Sequence, residues 1–82
     1  MGVGVKDAVT ERFIEICEER SIRPNELATL SGVTPSTVYS MLNSSRRDIS
    51  ILTIKKLCDG LEISIPDFFD TEYFRAIEQE IE

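Results

Sequence analysis

A predicted helix over residues 35–43 carries the side chains best suited to specific hydrogen bonding in this sequence. Val38, Met41 and Leu42 recur at the spacing of a buried helical stripe. The other side chains are short and uncharged, or aromatic: Ser36, Thr37, Tyr39, Ser40 and Asn43. A helix that faces only water normally carries Glu, Lys and Gln, which have higher helix propensity. Short polar groups let a helix approach base edges in a major groove, so the composition favours a reading surface over a poorly optimised exposed helix.

The sequence contains few residues of the types that carry out catalysis or bind metals. The sequence has no histidine, and its two cysteines, Cys17 and Cys58, are far apart in the chain. Each cysteine occupies an apolar helical position, which favours buried, reduced thiols over redox sensing or a disulfide. The carboxylates fall on predicted solvated faces, so no acid–base pair or activated nucleophile can be assembled. We therefore expect no enzyme, no metal site and no cofactor.

The net charge of −6 is unevenly divided along the chain. Residues 20–56 contain six basic and two acidic side chains, whereas residues 1–19 and 57–82 are both acidic. A phosphate-facing surface requires such a local positive excess. The basic residues of the central region are Arg20, Arg23, Arg46, Arg47, Lys55 and Lys56. We expect a nucleic acid to lie against this region; chance segregation of charge is the alternative.

Residues 24–43 have the spacing of two short helices joined by a tight turn. Ala28 supplies a small side chain where two steeply crossing backbones approach each other. Gly32 tolerates the positive φ that the turn requires. Thr34 is a good N-cap for the second helix, and Pro35 suits its first position. The pattern predicts a helix-turn-helix.

The flanking segments predict further helices that support this unit. An apolar stripe predicts a helix over residues 5–20. Ser50 caps a fourth helix, and Ser64 with Pro66 begins a fifth. Gly60, within the fourth helix, indicates close packing against another helix. The expected apolar face of that helix comprises Ile51, Ile54, Leu57, Cys58 and Leu61.

Residues 71–82 are predicted to form an amphipathic helical extension that follows a domain of residues 1–70. Its apolar side chains, Phe74, Ile77 and Ile81, stand at helical spacing. No further sequence remains to cover this stripe, so it either folds back on the first helix or pairs with a second copy of the chain. We favour pairing, with these three residues as the dimer contact.

Length and hydropathy predict one small globular domain, since the chain has 82 residues and a hydrophobic content of 41%. It contains no run of about 18 apolar residues that could span a membrane. The N-terminus also lacks the pattern of a signal peptide. We expect a cytoplasmic protein without a membrane partner.

Four segments, in order and at matching spacing, carry a resemblance to a known family. They are NELATLSGV, STVYSMLN, LTIKKLCDGL and ISIPDFF, within residues 13–70. This run resembles the Cro/C1-type, or Xre-like, helix-turn-helix family of bacterial and phage transcriptional regulators, and is most similar to small Firmicutes-type members. The resemblance implies an all-α, five-helix lambda-repressor-like domain that binds operator DNA as a dimer, with the helix over residues 35–43 as its recognition helix.

The resemblance also implies which residues contact DNA. Base-edge contacts are expected from the first, second and sixth residues of the recognition helix: Pro35, Ser36 and Ser40. Phosphate contacts are expected from Arg23, Asn25, Asn43, Ser44, Ser45, Arg46 and Arg47. Pro35 stands where the family commonly has glutamine, so the bidentate contact of glutamine with adenine is lost. Ser44 and Glu62 stand where glycine is usual at helix ends, so those ends are expected to use Asn43 or a different turn geometry.

These patterns together predict a sequence-specific DNA-binding protein, a transcriptional repressor that binds a near-palindromic operator as a homodimer. Thr37 and Tyr39 join the predicted base-reading residues, and Lys55 joins the phosphate-binding residues. The alternative is a protein-interaction module, such as an antitoxin, that uses the same fold to bind a partner protein through its acidic C-terminal helix.

Overall fold

The computed structural model describes residues 4–43, 48–77 and 79, and the regular secondary structure in these ranges is helical. The helices follow one another along the chain as α1 Val5–Arg20, α2 Pro24–Ser31, α3 Pro35–Leu42, α4 Ile51–Gly60, α5 Ile65–Phe69 and α6 Glu72–Arg75. The all-α class expected from the sequence is confirmed. No helix in the described ranges is long and apolar enough to cross a membrane.

Short-range signals set most of the helix ends. Thr34, Ser50 and Ser64 precede α3, α4 and α5, and each hydroxyl oxygen accepts a hydrogen bond from the backbone N–H three residues later, at 3.3, 3.0 and 3.2 Å. Gly32 ends α2 with the left-handed φ of 68° that the turn requires. Glu62 also adopts a left-handed φ, of 55°. The expected change of turn geometry is therefore wrong at Glu62, because the backbone keeps the glycine-like turn.

Side chains from five helices form one core against the apolar stripe of α1. Its largest fully buried members include Phe13, Leu27, Val38, Leu57 and Phe68, one from each of the first five helices. The ring centroids of Phe13 and Phe68 are 4.4 Å apart. This core fixes α2 and α3 relative to the rest of the molecule.

Helices α2 and α4 pack closely where α4 ends. An ideal Cβ built on Gly60 would lie 2.9 Å from backbone atoms of both Leu30 and Ser31, which is closer than real Cβ contacts. Only a glycine fits between these backbones without a shift. The close packing predicted for Gly60 is confirmed.

One side chain assigned to the core from the sequence is exposed. The expectation that Ile51 lies on the buried face of α4 is wrong, since its side chain is 67% exposed. Ile51 is the first residue of α4, ahead of the turns that reach the core. The other members of the predicted face are buried: Ile54, Leu57, Cys58 and Leu61.

Three cations on α1 bind the C-terminal ends of other helices. Lys6 donates to a backbone carbonyl at the end of α3, Arg12 to two carbonyls in α5, and Arg20 to the carbonyl that follows α4. The last carbonyls of a helix lack intrahelical partners and carry partial negative charge, so cations stabilise them. Helix α1 thus holds three helix ends as well as the core.

The C-terminal helix is shorter than the sequence predicts. Helix α6 spans Glu72–Arg75 and has Ala76 as its C-cap, and Ile77 is not helical. The prediction of one continuous helix over residues 71–82 is therefore wrong. Short helices are marginal in water unless tertiary packing supports them, and among the described residues of this segment Phe74, in the first turn, is the one packed against the core.

Phe74 provides that packing by folding back onto the rest of the chain. Its ring centroid lies 4.7 Å from that of Phe69 and 5.9 Å from that of Phe68. The neighbouring Tyr73 hydroxyl donates to the carboxylate of Glu15 in α1 at 3.4 Å. The segment was expected either to fold back on its own chain or to pair with a second copy. Helix α6 folds back on its own chain.

Candidate nucleic-acid interface

The outer face of α3 presents most of the side chains predicted to read bases. Val38 and Met41 form the buried face of the helix and are 0% and 3% exposed. On the outer face Tyr39 is 53% exposed. Thr37 is half-buried, whereas the other predicted readers are exposed: Pro35, Ser36 and Ser40. The fold therefore brings four of the five predicted residues together at the surface.

The hydroxyl of Thr34 organises the first turn of α3. Its oxygen accepts a hydrogen bond from the backbone N–H of Thr37 at 3.3 Å and lies 3.0 Å from the hydroxyl oxygens of both Ser36 and Thr37. Each hydroxyl can donate one hydrogen bond and accept two. Ser36 therefore keeps the capacity for a further hydrogen bond while its position is fixed.

A polar groove of about 260 Å³ separates α3 from the beginning of α4. One wall carries the hydroxyls of α3, and the other carries the first turn of α4. Its lining residues are Ser36, Thr37, Ser40, Met41, Asp48, Ile49, Ser50 and Thr53. Ser50 and Thr53 were assigned no contact with a ligand by sequence reasoning, which gave Ser50 only a capping role. Their place in the same groove as Ser40 follows from the tertiary arrangement of α3 and α4, which spacing along the chain does not give.

Arg23 and Asn25 are exposed at the N-terminal end of α2. Arg23 is the N-cap residue, and its backbone N–H donates to the carboxylate of Glu26 at 3.2 Å. The guanidinium group and the positive end of the α2 dipole lie together, an arrangement that attracts a phosphate. The acidic Glu26 in the same turn weakens this local positive charge.

Lys55 and Lys56 lie on different sides of α4. Lys56 comes three residues after Thr53, so the two share a helix face, and Thr53 lines the groove beside α3. Lys55 comes four residues after the exposed Ile51 and forms an ion pair with the carboxylate of Asp59. The carboxylate of Asp59 therefore competes with a phosphate for Lys55, the lysine that the sequence analysis assigns to phosphate binding.

Several predicted contact residues remain to be placed. Asn43 is exposed and is the C-cap residue of α3. Phe74 and Ile77, predicted as dimer contacts, are half-buried. The remaining predicted residues lie outside the described ranges: Ser44, Ser45, Arg46 and Arg47 in the phosphate-binding group, and Ile81 in the dimer contact.

The two cysteines are free thiols that pack with the core. Cys58 is fully buried, and this burial raises the pKa of its thiol to about 11. Cys17 is half-buried, and desolvation raises the pKa of its thiol as well. A thiol with a raised pKa is mostly protonated near neutral pH and therefore a weak nucleophile. Both cysteines fit the structural role that the sequence predicts.

Comparison with known proteins agrees with this architecture. Residues 12–73 match the family described as Cro/C1-type HTH DNA-binding domain. The crystal structure of the prophage Lp1 protein 11 is similar over 94% of this chain and 100% of that chain, with a TM-score of 0.79 and 32% sequence identity. No curated protein matches the chain. The chain belongs to the Cro/C1-type helix-turn-helix family and is a DNA-binding transcription regulator with a lambda-repressor-like fold.

Proposed function

We propose that this chain is a transcriptional repressor that binds a near-palindromic operator as a homodimer, with α3 of each copy in a major groove. The observation that carries the proposal is the outer face of α3, where Ser36, Tyr39 and Ser40 are exposed while Val38 anchors the helix in the core. Side chains this short allow the helix backbone to come close to base edges. The two recognition helices of a dimer then lie about 34 Å apart, one turn of DNA.

The exposed side chains of α3 contact the base edges and read the sequence. The hydroxyls of Ser36 and Ser40 can donate hydrogen bonds to base edges or accept them. The ring of Pro35 can make an apolar contact with the methyl group of thymine. Tyr39 adds an aromatic ring with a polar end. Thr37 is half-buried and its hydroxyl is engaged with Thr34, so its role is to hold Ser36 in place.

Residues of the segments that flank α3 bind the phosphates. Arg23 and Asn25 act from the start of α2, and Lys56 acts from the face of α4 that Thr53 shares. Asn43 and residues 44–47, with Arg46 and Arg47, complete the set from the segment after α3. These contacts fix the position of the protein on the duplex without reading its sequence.

Two adjacent lysines give a matched test of the phosphate surface. The dissociation constant for duplex DNA of mixed sequence is measured over a range of salt concentrations for Lys56→Ala and Lys55→Ala, which remove the same charge from the same helix. Lys56→Ala should weaken binding and reduce the slope of log K against log salt by about one, because one phosphate contact is lost. Lys55→Ala should leave the slope unchanged. Equal effects of the two substitutions would mean that net charge alone matters.

The arginine pair and the serines separate affinity from specificity. Arg46→Ala combined with Arg47→Ala should weaken binding to every sequence and flatten its salt dependence. Ser36→Ala and Ser40→Ala should instead change the preference among operators, since each removes a hydroxyl from the reading face. Binding that is insensitive to all four substitutions would contradict the proposed placement of α3.

The predicted dimer residues are Phe74, Ile77 and Ile81; because the ring of Phe74 packs on Phe68 and Phe69 of its own chain, the proposed contact between copies uses Ile77 and Ile81. Sedimentation equilibrium should show a dimer that Ile77→Asp dissociates, because a buried carboxylate in an apolar contact is strongly unfavourable. Ile51→Asp is the comparison variant, since Ile51 is also apolar and is 67% exposed. Dissociation by Ile51→Asp alone would move the dimer contact to the beginning of α4. A wild-type monomer at all concentrations, with and without DNA, would rule out the homodimer.

Repression is tested by placing a selected operator across a promoter that drives a reporter. Expression of the chain should lower reporter output, because a protein bound there blocks access to the promoter. A variant with both Ser36→Ala and Ser40→Ala is the matched control, since it should lose preference for that operator. Increased output with the wild-type chain would identify an activator.

A further inference from the structure

Among the described residues, the charged residue that is buried is Lys6, with 6% of its surface exposed. It lies in the first turn of α1. Its ammonium group donates to the hydroxyl oxygen of Thr10 at 3.1 Å and to the backbone carbonyl of Asn43 at 3.4 Å. The Thr10 hydroxyl has two carbonyl acceptors within donating distance, that of Lys6 at 3.1 Å and that of Met41 at 3.2 Å. Two side chains of α1 therefore reach the C-terminal end of α3.

Burial of an ammonium group is unfavourable unless its partners compensate for lost hydration. The two acceptors of Lys6 are neutral oxygens, those of Thr10 and Asn43. The C-terminal end of α3 supplies compensating negative charge, and Asp48 lines the same pocket as Lys6. The last four carbonyls of a helix lack intrahelical partners and carry a partial charge equivalent to about −0.5. An apolar side chain would fill the same space without this desolvation, so the buried cation indicates that the charge at this helix end matters.

Under the proposed function, the C-terminal end of α3 lies next to the DNA backbone. Asn43, the C-cap residue of α3, is assigned a phosphate contact, and an uncompensated helix C-terminus would repel phosphate groups. We infer that Lys6 is a positioning residue for DNA recognition, an inference that rests on the proposed function. With Thr10 it fixes the C-terminal end of α3, and its charge offsets the negative helix end that faces the DNA backbone.

Lys6→Met tests this role, because methionine keeps an unbranched side chain of similar shape but removes the charge and the donors. Fluorescence anisotropy gives the affinities for a selected operator and for a scrambled duplex, at a temperature where circular dichroism shows each variant to be folded. The operator affinity should fall about tenfold, because the end of α3 is less well positioned and its negative charge is no longer offset. The affinity for the scrambled duplex should fall less, because only the charge effect on phosphates acts there, so the ratio of the two affinities should decrease.

Arg12→Met is the matched control. It removes another cation of α1 that binds a helix end, but that end belongs to α5, at the carbonyls of Asp67 and Phe68. The change in net charge is the same as in Lys6→Met, and the ratio of affinities should stay at the wild-type value. Equal losses of the ratio in the two variants would overturn the specific role of Lys6.

Thr10→Val provides a second variant that removes one hydroxyl and keeps the side-chain shape, and it carries the test if Lys6→Met does not fold. Its ratio of affinities should change in the same direction by a smaller factor. Hydrogen exchange adds a readout without DNA: Lys6→Met should speed exchange of the α3 amides more than those of α4. A folded Lys6→Met protein with an unchanged ratio overturns the inference. A wild-type chain that binds no duplex overturns the proposed function instead.

Discussion

Gly60→Ala should destabilise the protein, although alanine is normally the better residue in a helix. An ideal Cβ at Gly60 would lie 2.3 Å from the hydroxyl oxygen of Ser31 and 2.9 Å from backbone atoms of Leu30 and Ser31. The hydroxyl can rotate away, but the two backbone atoms belong to α2. Ordinary Cβ contacts begin at 3.4 Å, so α2 and α4 must move apart by about 0.5 Å.

The magnitude follows from two opposing effects. Overpacking of this kind typically costs about 1–3 kcal/mol. Replacement of a helical glycine by alanine contributes at most about 1 kcal/mol in the other direction. The net loss in the free energy of unfolding is up to about 2 kcal/mol, which lowers the melting temperature of a domain of this size by up to several degrees.

Urea denaturation followed by far-ultraviolet circular dichroism measures this change. A double variant, Ser31→Ala with Gly60→Ala, separates the two kinds of contact. It should recover only part of the lost stability, because the contacts with the α2 backbone remain. A single variant more stable than the wild type, as helix propensity alone predicts, would refute the packing argument. Full recovery in the double variant would show that the hydroxyl alone is responsible.

Other substitutions test single features of the fold. Gly32→Ala should lower stability by about 1 kcal/mol through backbone strain alone, because φ is 68° and a Cβ would meet no atom within 4 Å. Glu62→Gly should raise stability by about 0.5 kcal/mol in urea denaturation, since relief of its left-handed strain exceeds the added freedom of the unfolded chain. Burial raises the pKa of Cys58 from 9.0 to about 11, so stability should be fully present below pH 9 and fall as pH rises toward 11. Cys58→Ala should make this alkaline fall shallower, and an unchanged pH profile would contradict the assignment.

Features set by nearby residues could be predicted from the sequence. The first helix was expected over residues 5–20, and α1 spans Val5–Arg20. Thr34, Ser50 and Ser64 cap their helices as expected, because an N-cap acts on a backbone N–H only three residues away. The turn at Gly32 follows from one residue and its φ. Local chemistry therefore sufficed for the helix-turn-helix itself.

Features that depend on distant packing could not be predicted. Ile51 has the spacing of a core residue but lies ahead of the packed part of α4. The burial of Lys6 depends on a carbonyl 37 residues away. One signal was present in that case: Lys6 stands three residues before Val9, at the edge of the apolar stripe of α1.

The C-terminal segment shows the limit of periodicity as evidence. Phe74 and Ile77 have helical spacing, yet α6 ends before Ile77. The ring of Phe74 packs on Phe69, so burial of one side chain replaces the continuous stripe that periodicity predicts. An apolar residue can be buried by its own chain or by a second copy of it. The spacing of apolar residues along the sequence is the same in both cases and therefore does not distinguish them.

Selection of bound duplexes from a random DNA pool tests the central claim most directly, namely that the outer face of α3 reads DNA sequence. The account predicts enrichment of two related half-sites whose centres are about one helical turn apart. Repeating the selection with Ser36→Ala should change the enriched bases within each half-site while leaving their spacing unchanged. Recovery of the unselected pool, or an enriched sequence that is the same for the wild type and for Ser36→Ala and Ser40→Ala, would contradict it.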